Sequence, residues 1–196
     1  MEYVITIVIS YLIGSIPTAL ILSNRKKIDI RQHGSGNIGA TNSFRVLGKK
    51  AGFLVTFIDI IKGVIPALFA YLYGGEVLAV AAGFAVIIGH SFSIFANFKG
   101  GKGIATGAGA VMVLNPIAVI LGITLFVVLL FLTKYASLSS ILAAISVSLL
   151  TWVLDDSLAA KVGVTIMVGF VIFRHRSNIG RLFRGEENKV LQKKSK

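Results

Sequence analysis

The chain has 196 residues, 55% of them hydrophobic and 14% charged, with a net charge of +12. That share of charge is too small for an ordinary soluble domain, and several apolar runs reach membrane-spanning length, so the composition describes a polytopic membrane protein. The absence of cysteine excludes a disulfide framework, an Fe–S cluster and a thiolate zinc site.

The start, "MEYVITIVIS", lacks a positive n-region, so a cleaved signal peptide is not expected. The first apolar run is Tyr3–Leu22. It is followed by Ser23–Lys50, which carries Arg25, Lys26, Lys27, Arg31, Arg45, Lys49 and Lys50 against Asp29 alone, and this places the segment in the cytoplasm. Ala51–Tyr73 then crosses outward to "GGE", and Val77–Phe95 returns Lys99 and Lys102 to the inside. The next run, Ile104–Leu132, is 29 residues long and reads either as one tilted span or as two shorter ones. The last two are Ala136–Leu154 and Leu158–Phe173.

Charge decides the ambiguous run. The tail carries Arg174, Arg176, Arg181, Arg184, Lys189, Lys193, Lys194 and Lys196, and it too belongs inside. An even number of crossings must therefore separate Lys102 from Arg174. Splitting the long run at the turn signal Asn115–Pro116 supplies four, with Lys134 inside and Asp155–Asp156 outside. The expectation is an all-α membrane protein, residues 1–196 forming one domain, with seven crossings, the N-terminus outside and the C-terminus cytoplasmic. One crossing, Ile104–Leu114, is a half-helix of about 16 Å at 1.5 Å per residue. Such helices are tolerated where they line a cavity, and their N-termini suit anions.

Three polar segments then share the cytoplasmic interface: "QHGSGNIGATNSFRVLGKK" (Gln32–Lys50), "GHSFSIFANFKGGKGIAT" (Gly89–Thr106) and "RHRSNIGRLFRGEE" (Arg174–Glu187). Glycines let the backbone approach a ligand, and successive N–H groups form anion nests. Ser35, Asn37, Thr41 and Asn42 add neutral donors, while Arg45 and Lys102 add charge. Arg is suited to gripping a phosphate bidentately. "GSGNIG" follows no strand, so a dinucleotide fold is a poor reading, and "FKGGKGIAT" is not a Walker A loop because Gly103 follows Lys102. Taken singly, each segment is as readily explained by helix packing or snorkelling lysines. Three facing one compartment favour an anion site. Asp59 and Lys62, spaced i,i+3 within a span, read equally as a neutralising pair or as functional charges.

The acids are few. Glu2, Glu76, Asp155 and Asp156 fall outside, Asp29, Glu186 and Glu187 at loop or tail positions, and Asp59 within a span. No carboxylate pair sits in the motifs, which argues against glycosidase-like or two-metal chemistry. No metal and no cofactor is expected. His33, His90 and His175 all lie toward the cytoplasmic side, and His175, among cations, has the strongest claim to a role.

"GSGNIGATNSFRVLGKKAG", "GHSFSIFANFKGGKGIATGAG" and "RHRSNIGRLFRGEE" resemble the three cytoplasmic motifs of the bacterial acyl-phosphate-dependent glycerol-3-phosphate acyltransferases, in order and over nearly the whole chain. The resemblance implies a seven-helix enzyme of the inner membrane with its active site facing the cytoplasm. Its implied reaction transfers a fatty acyl group from acyl phosphate to glycerol 3-phosphate, giving lysophosphatidic acid and phosphate, the first committed step of phospholipid synthesis. The H-x-x-x-x-D motif of the other glycerolipid acyltransferases is absent, since Ile38, Phe95 and Gly180 stand five residues after the histidines.

On this reading Ser35, Lys102 and His175 are the candidate catalytic residues. Arg45, Asn178 and His175 are assigned mainly to glycerol 3-phosphate. Ser35, Lys102, Gly100, Gly101 and Gly103 are assigned mainly to the acyl phosphate. Gly34, Gly36, Asn37, Thr41, Asn42, His90, Asn97, Lys99, Thr106 and Arg181 complete the candidate substrate-binding set. The expected partners are the two substrates and the bilayer, with no nucleic acid, and the expected state is a monomer. A phosphate-ester transporter would need a second, outer gate, for which "YGGE", "NP" and "DDS" offer little material. A lipid-binding scaffold would leave the three Gly-rich segments unexplained.

Overall fold

The computed structural model describes residues 1–190. Its α-helices are α1 Glu2–Gly14, α2 Thr18–Arg25, α3 Ala40–Val46, α4 Lys49–Ser91, α5 Ile104–Leu114, α6 Pro116–Thr133, α7 Ala136–Leu154, α8 Leu158–Arg174 and α9 Arg176–Phe183. No strand occurs among the described residues. Of the tail cations, Lys193, Lys194 and Lys196 lie outside the described residues.

The run Tyr3–Leu22 is not one continuous helix. It breaks between Gly14 and Thr18, because Pro17 has no N–H and disfavours helical backbone at Ile16. The Ile16 carbonyl accepts from Lys62 Nζ at 3.0 Å, and Thr18 Oγ1 donates to Asp59 Oδ1 at 3.2 Å. The polar groups at the break are thereby satisfied inside the protein.

A straight helix of 43 residues would be about 65 Å long, twice the hydrocarbon core. α4 avoids this at Gly74 (φ −137°, ψ 16°) and Gly75 (φ 75°, ψ −166°), where the backbone leaves helical geometry. Asp59 and His90 would be about 46 Å apart on a straight helix, yet Asp59 Oδ1 and His90 Nδ1 are 3.9 Å apart. The two limbs therefore fold back alongside each other.

Small residues allow the close helix contacts. A Cβ on Gly63 would lie 2.1 Å from the Thr106 carbonyl oxygen, and one on Gly109 would lie 2.1 Å from that of Ile60, so α4 and α5 meet backbone to backbone. α5 is 11 residues long, and the break after it falls at Asn115, whose side chain caps α6 by accepting from the Ala118 N–H at 3.0 Å.

One apolar core joins Ile87, Val111, Val119, Val164, Met167 and Val171, from α4, α5, α6 and α8. A second, of Ala19, Leu20, Ile30, Ile38, Leu47, Val55 and Ala96, underlies the loop between α2 and α3. Outside, Phe69 and Leu72 on α4 and Ile120, Val128 and Phe131 on α6 are exposed. Apolar surface of this extent is made for lipid.

Four helical segments are long and apolar enough to cross a bilayer: Glu2–Arg25, Lys49–Ala96, Pro116–Thr133 and Ala136–Leu154. α8 and α9 meet at a 57° bend, and the pair adds a fifth only if it is taken as one span. This count takes the folded-back α4 once and omits the short α5.

Candidate active site

The loop between α2 and α3 is framed from beneath by Asn42. The buried amide of Asn42 accepts from the Ser35 N–H at 2.9 Å and donates to the carbonyls of Ile30 at 3.2 Å and His33 at 3.0 Å. Gly34 sits at φ +64°, and a Cβ there would lie 2.2 Å from Asn42 Oδ1, so only glycine fits. This frame holds Ser35, Gly36 and Asn37 at the wall of a cavity. Thr41, beside Asn42 on α3, is half-buried.

The second segment hangs from the end of α4. The N–H groups of Gly100 and Gly101 donate inward, to Ser91 at 3.1 Å and His90 at 3.0 Å. Arg174 Nη2 braces the loop by donating to the carbonyls of Gly101 at 3.1 Å and Ser91 at 3.3 Å. Gly103, at φ +84°, is the N-cap of α5. The amides still able to meet an anion are therefore those of Lys102, Gly103 and the first turn of α5. Buried Ser91 Oγ, Thr106 Oγ1 and Arg174 Nε, all on or beside this loop, have no hydrogen-bond partner among the described residues. Asn97, at φ 51°, and Lys99 are exposed and do not line the cavity.

The third segment closes the site. Asn178 is buried; its Oδ1 accepts from Lys102 Nζ, and its Nδ2 donates to Glu187 Oε1 at 2.7 Å. Glu187 also accepts from Ser137 Oγ at 2.8 Å and Arg181 Nε at 2.8 Å. His175, one residue beyond the end of α8, is buried with Nδ1 2.8 Å from the Val171 carbonyl. Because a carbonyl only accepts, Nδ1 carries the proton and Nε2 keeps its lone pair. Arg45 Nη2 donates to the Asn188 carbonyl at 3.1 Å, which places α3 against the same strap of chain.

The result is a cavity of about 320 Å³ lined by Ser35, Gly36, Asn37, Lys102, Arg174, Arg176, Ser177 and Arg181. Burial pushes the Lys102 ammonium down to about 8, against the pull of Glu187; Arg181, Arg174 and Arg45 add to the lowering. Burial likewise pushes His175 down to about 4, against its bond to Val171, so the imidazole is neutral at physiological pH. At Glu187 burial acts to raise the carboxyl, but the donors Asn178, Ser137 and Arg181 outweigh it and hold the group ionised below the usual range. Cations outnumber the one carboxylate here, so the cavity carries a local excess of positive charge.

Residues 4–185 match the family profile described as glycerol-3-phosphate acyltransferase. The chain belongs to this family. A glycerol-3-phosphate acyltransferase of Macrococcus caseolyticus is 45% identical over 195 residues, covering 99% of this chain and 100% of that one. Glycerol-3-phosphate acyltransferase 2 of Bacillus anthracis is 43% identical, covering 96% and 99%. The crystal structure of PlsY (YgiH), an integral membrane glycerol 3-phosphate acyltransferase, in its glycerol 3-phosphate form superposes with a TM-score of 0.93 at 37% identity over 96% of both chains. Its lysophosphatidic acid form gives 0.91 at 36% identity, over 96% of this chain and 95% of that one. The protein is thus an integral membrane acyltransferase of this family, and phospholipid synthesis follows from the family.

The cavity and the bonds at its wall bring Ser35, Gly36, Asn37, Lys102, Asn178 and Arg181 together across three distant segments. Gly34 and Asn42 lie beneath the first loop and His90 beneath the second. Four more groups stand at the site than the motif pattern singles out. Arg174, Arg176 and Ser177 of the third motif line the cavity, and Glu187, at a tail position in the sequence, is wired into Asn178 and Arg181. Its signal was its place as the last residue of the third motif.

Proposed function

We propose that the protein transfers a fatty acyl group from acyl phosphate to the sn-1 hydroxyl of glycerol 3-phosphate, yielding lysophosphatidic acid and inorganic phosphate. The observation that carries this reading is the cavity in which Ser35, Lys102, Arg174, Arg176 and Arg181 converge, with Glu187 as the neighbouring acid. Two phosphates must be held in this reaction, one on the acceptor and one on the leaving group, and the cavity is cationic enough for both. The solved relative's glycerol 3-phosphate and lysophosphatidic acid forms support the acceptor and the product.

The transfer is direct. The sn-1 oxygen attacks the acyl carbonyl carbon, a C–O ester bond forms, and the bond from that carbon to the phosphate oxygen breaks. The hydroxyl proton passes to a substrate phosphate dianion, whose second pKa near 6 suits it to act as base at neutral pH. Lys102 and the free amides at the start of α5 stabilise charge on the carbonyl oxygen and the departing phosphate. Arg45, Asn178 and His175 hold glycerol 3-phosphate. His175, neutral with Nε2 open as an acceptor, binds rather than takes the proton. Ser35 has no side-chain hydrogen bond to a base among the described residues, and acyl phosphate is already activated, so an acyl-serine step is unnecessary.

The chain works as a monomer in the inner (cytoplasmic) membrane. Counting both limbs of α4 and the short α5 gives seven crossings, with the N-terminus outside and the site facing the cytoplasm. The test is to incubate the purified protein with acyl phosphate and radiolabelled glycerol 3-phosphate. Labelled lysophosphatidic acid and phosphate should appear in equal amounts. Product from a thioester donor but none from acyl phosphate would overturn the donor assignment.

A further inference from the structure

The two limbs of α4 meet at a buried polar cluster that the reaction above does not use. Asp59, 2% exposed, accepts from Lys62 Nζ at 2.9 Å and from Thr18 Oγ1 at 3.2 Å, and Lys62 also holds the Ile16 carbonyl at 3.0 Å. The same Asp59 oxygen lies 3.9 Å from His90 Nδ1. At that distance the two groups pack against each other without a hydrogen bond. On the other edge of the ring is Gly101, where an added Cβ would lie 2.1 Å from His90 Nε2. The His90 ring makes no side-chain hydrogen bond among the described residues. The ring is packed between the Asp59 carboxylate on one side and the Gly101 backbone on the other.

Lys62 serves the break between α1 and α2 through the Ile16 carbonyl, and the Asp59 oxygen that it holds also faces the His90 ring under the glycine loop. We infer that Asp59 is a positioning residue for acyl transfer: with Lys62 it fixes the His90 ring, and the ring sets the height of Gly101 and so of the Lys102 and Gly103 amides. The inference rests on the anion site proposed above. It extends that site inward, to the break between α1 and α2, through Thr18 and Ile16.

Inorganic phosphate is the probe, its affinity read from protection of the purified protein against thermal unfolding, which needs no turnover. Asp59→Asn and His90→Ala should each weaken phosphate binding about tenfold, the scale of one hydrogen bond to a charged ligand. The double variant should be no weaker than His90→Ala alone, because Asp59 acts through His90. Thr18→Val should move affinity in the same direction by less. A lowered melting temperature with unchanged phosphate affinity in Asp59→Asn would overturn the inference, leaving Asp59 a purely structural group. So would additive losses in the double variant. If Asp59→Asn does not accumulate, Asp59→Glu takes its place, and unchanged affinity there overturns the inference equally. Failure of the unsubstituted protein to bind phosphate would remove the anion site as well, whereas the other outcomes bear on Asp59 alone.

Discussion

Glu187 Oε1 accepts from Asn178 Nδ2 at 2.7 Å, and that bond decides which way the amide faces. With the nitrogen turned to the carboxylate, the amide oxygen is left for Lys102. Glu187→Gln offers one acceptor and one N–H₂ group to three donors, so at least one donor is left unpaired. The expected loss is about 1–3 kcal/mol of site organisation, read as a fall in kcat/KM with Asn178 and Lys102 both present.

Arg45→Ala should raise the KM for glycerol 3-phosphate about ten- to hundredfold, since a charge-assisted hydrogen bond contributes about 1.5–3 kcal/mol. Acyl-phosphate binding should be largely kept. Steady-state kinetics with each substrate varied in turn check this, and an unchanged KM for glycerol 3-phosphate refutes the assignment.

The pH dependence follows from Lys102. Its ammonium, lowered to about 8 by burial, is charged below that pH and neutral above it. The attraction for phosphate is thus present at lower pH and lost as pH rises through about 8. The profile of kcat/KM, which reports the free enzyme, should descend there. Lys102→Arg stays cationic beyond about pH 12 and should carry its plateau to higher pH, whatever its absolute rate.

His175→Gln keeps a neutral polar group but provides no base. Retention of most of kcat with a raised KM is expected, because burial already keeps this imidazole neutral down to about pH 4. A loss of about 10³-fold or more in kcat with normal binding, typical of a missing general base, would make His175 the base instead.

Topology is open to labelling, since the chain has no cysteine of its own. A cysteine at Lys134 should react with an impermeant maleimide only from the cytoplasmic side, and one at Asp156 only from outside. The reverse pattern is expected if Ile104–Leu132 is a single crossing.

Much of this arrangement is legible in the sequence because its cues are local. Asn115–Pro116 marks a break that is a cap and a first helical turn, and "GGE" marks the fold-back of α4. The three motifs declare their polarity residue by residue. The break at Ile16–Pro17 is hidden, because the apolar run continues through it and only Lys62 and Asp59, more than forty residues on, make it tolerable. His90 read as a ligand-binding histidine, but its place under Gly101 depends on how the end of α4 turns back. Glu187 read as tail because its partners Ser137 and Asn178 become its neighbours only when α7 and α9 meet.

The shortness of α5 bears on how a greasy donor reaches a wet acceptor. An 11-residue helix rises about 16 Å against a hydrocarbon core of about 30 Å, so α5 cannot bring both of its ends to the membrane surfaces. Lifting an acyl chain out of a bilayer costs about 0.8 kcal/mol per methylene, a desorption barrier that would dominate the reaction of any long-chain substrate. In the proposed reaction a glycine loop held below the surface would remove that barrier: the acyl chain would stay dissolved among its lipid neighbours, and the small soluble partner would make the descent.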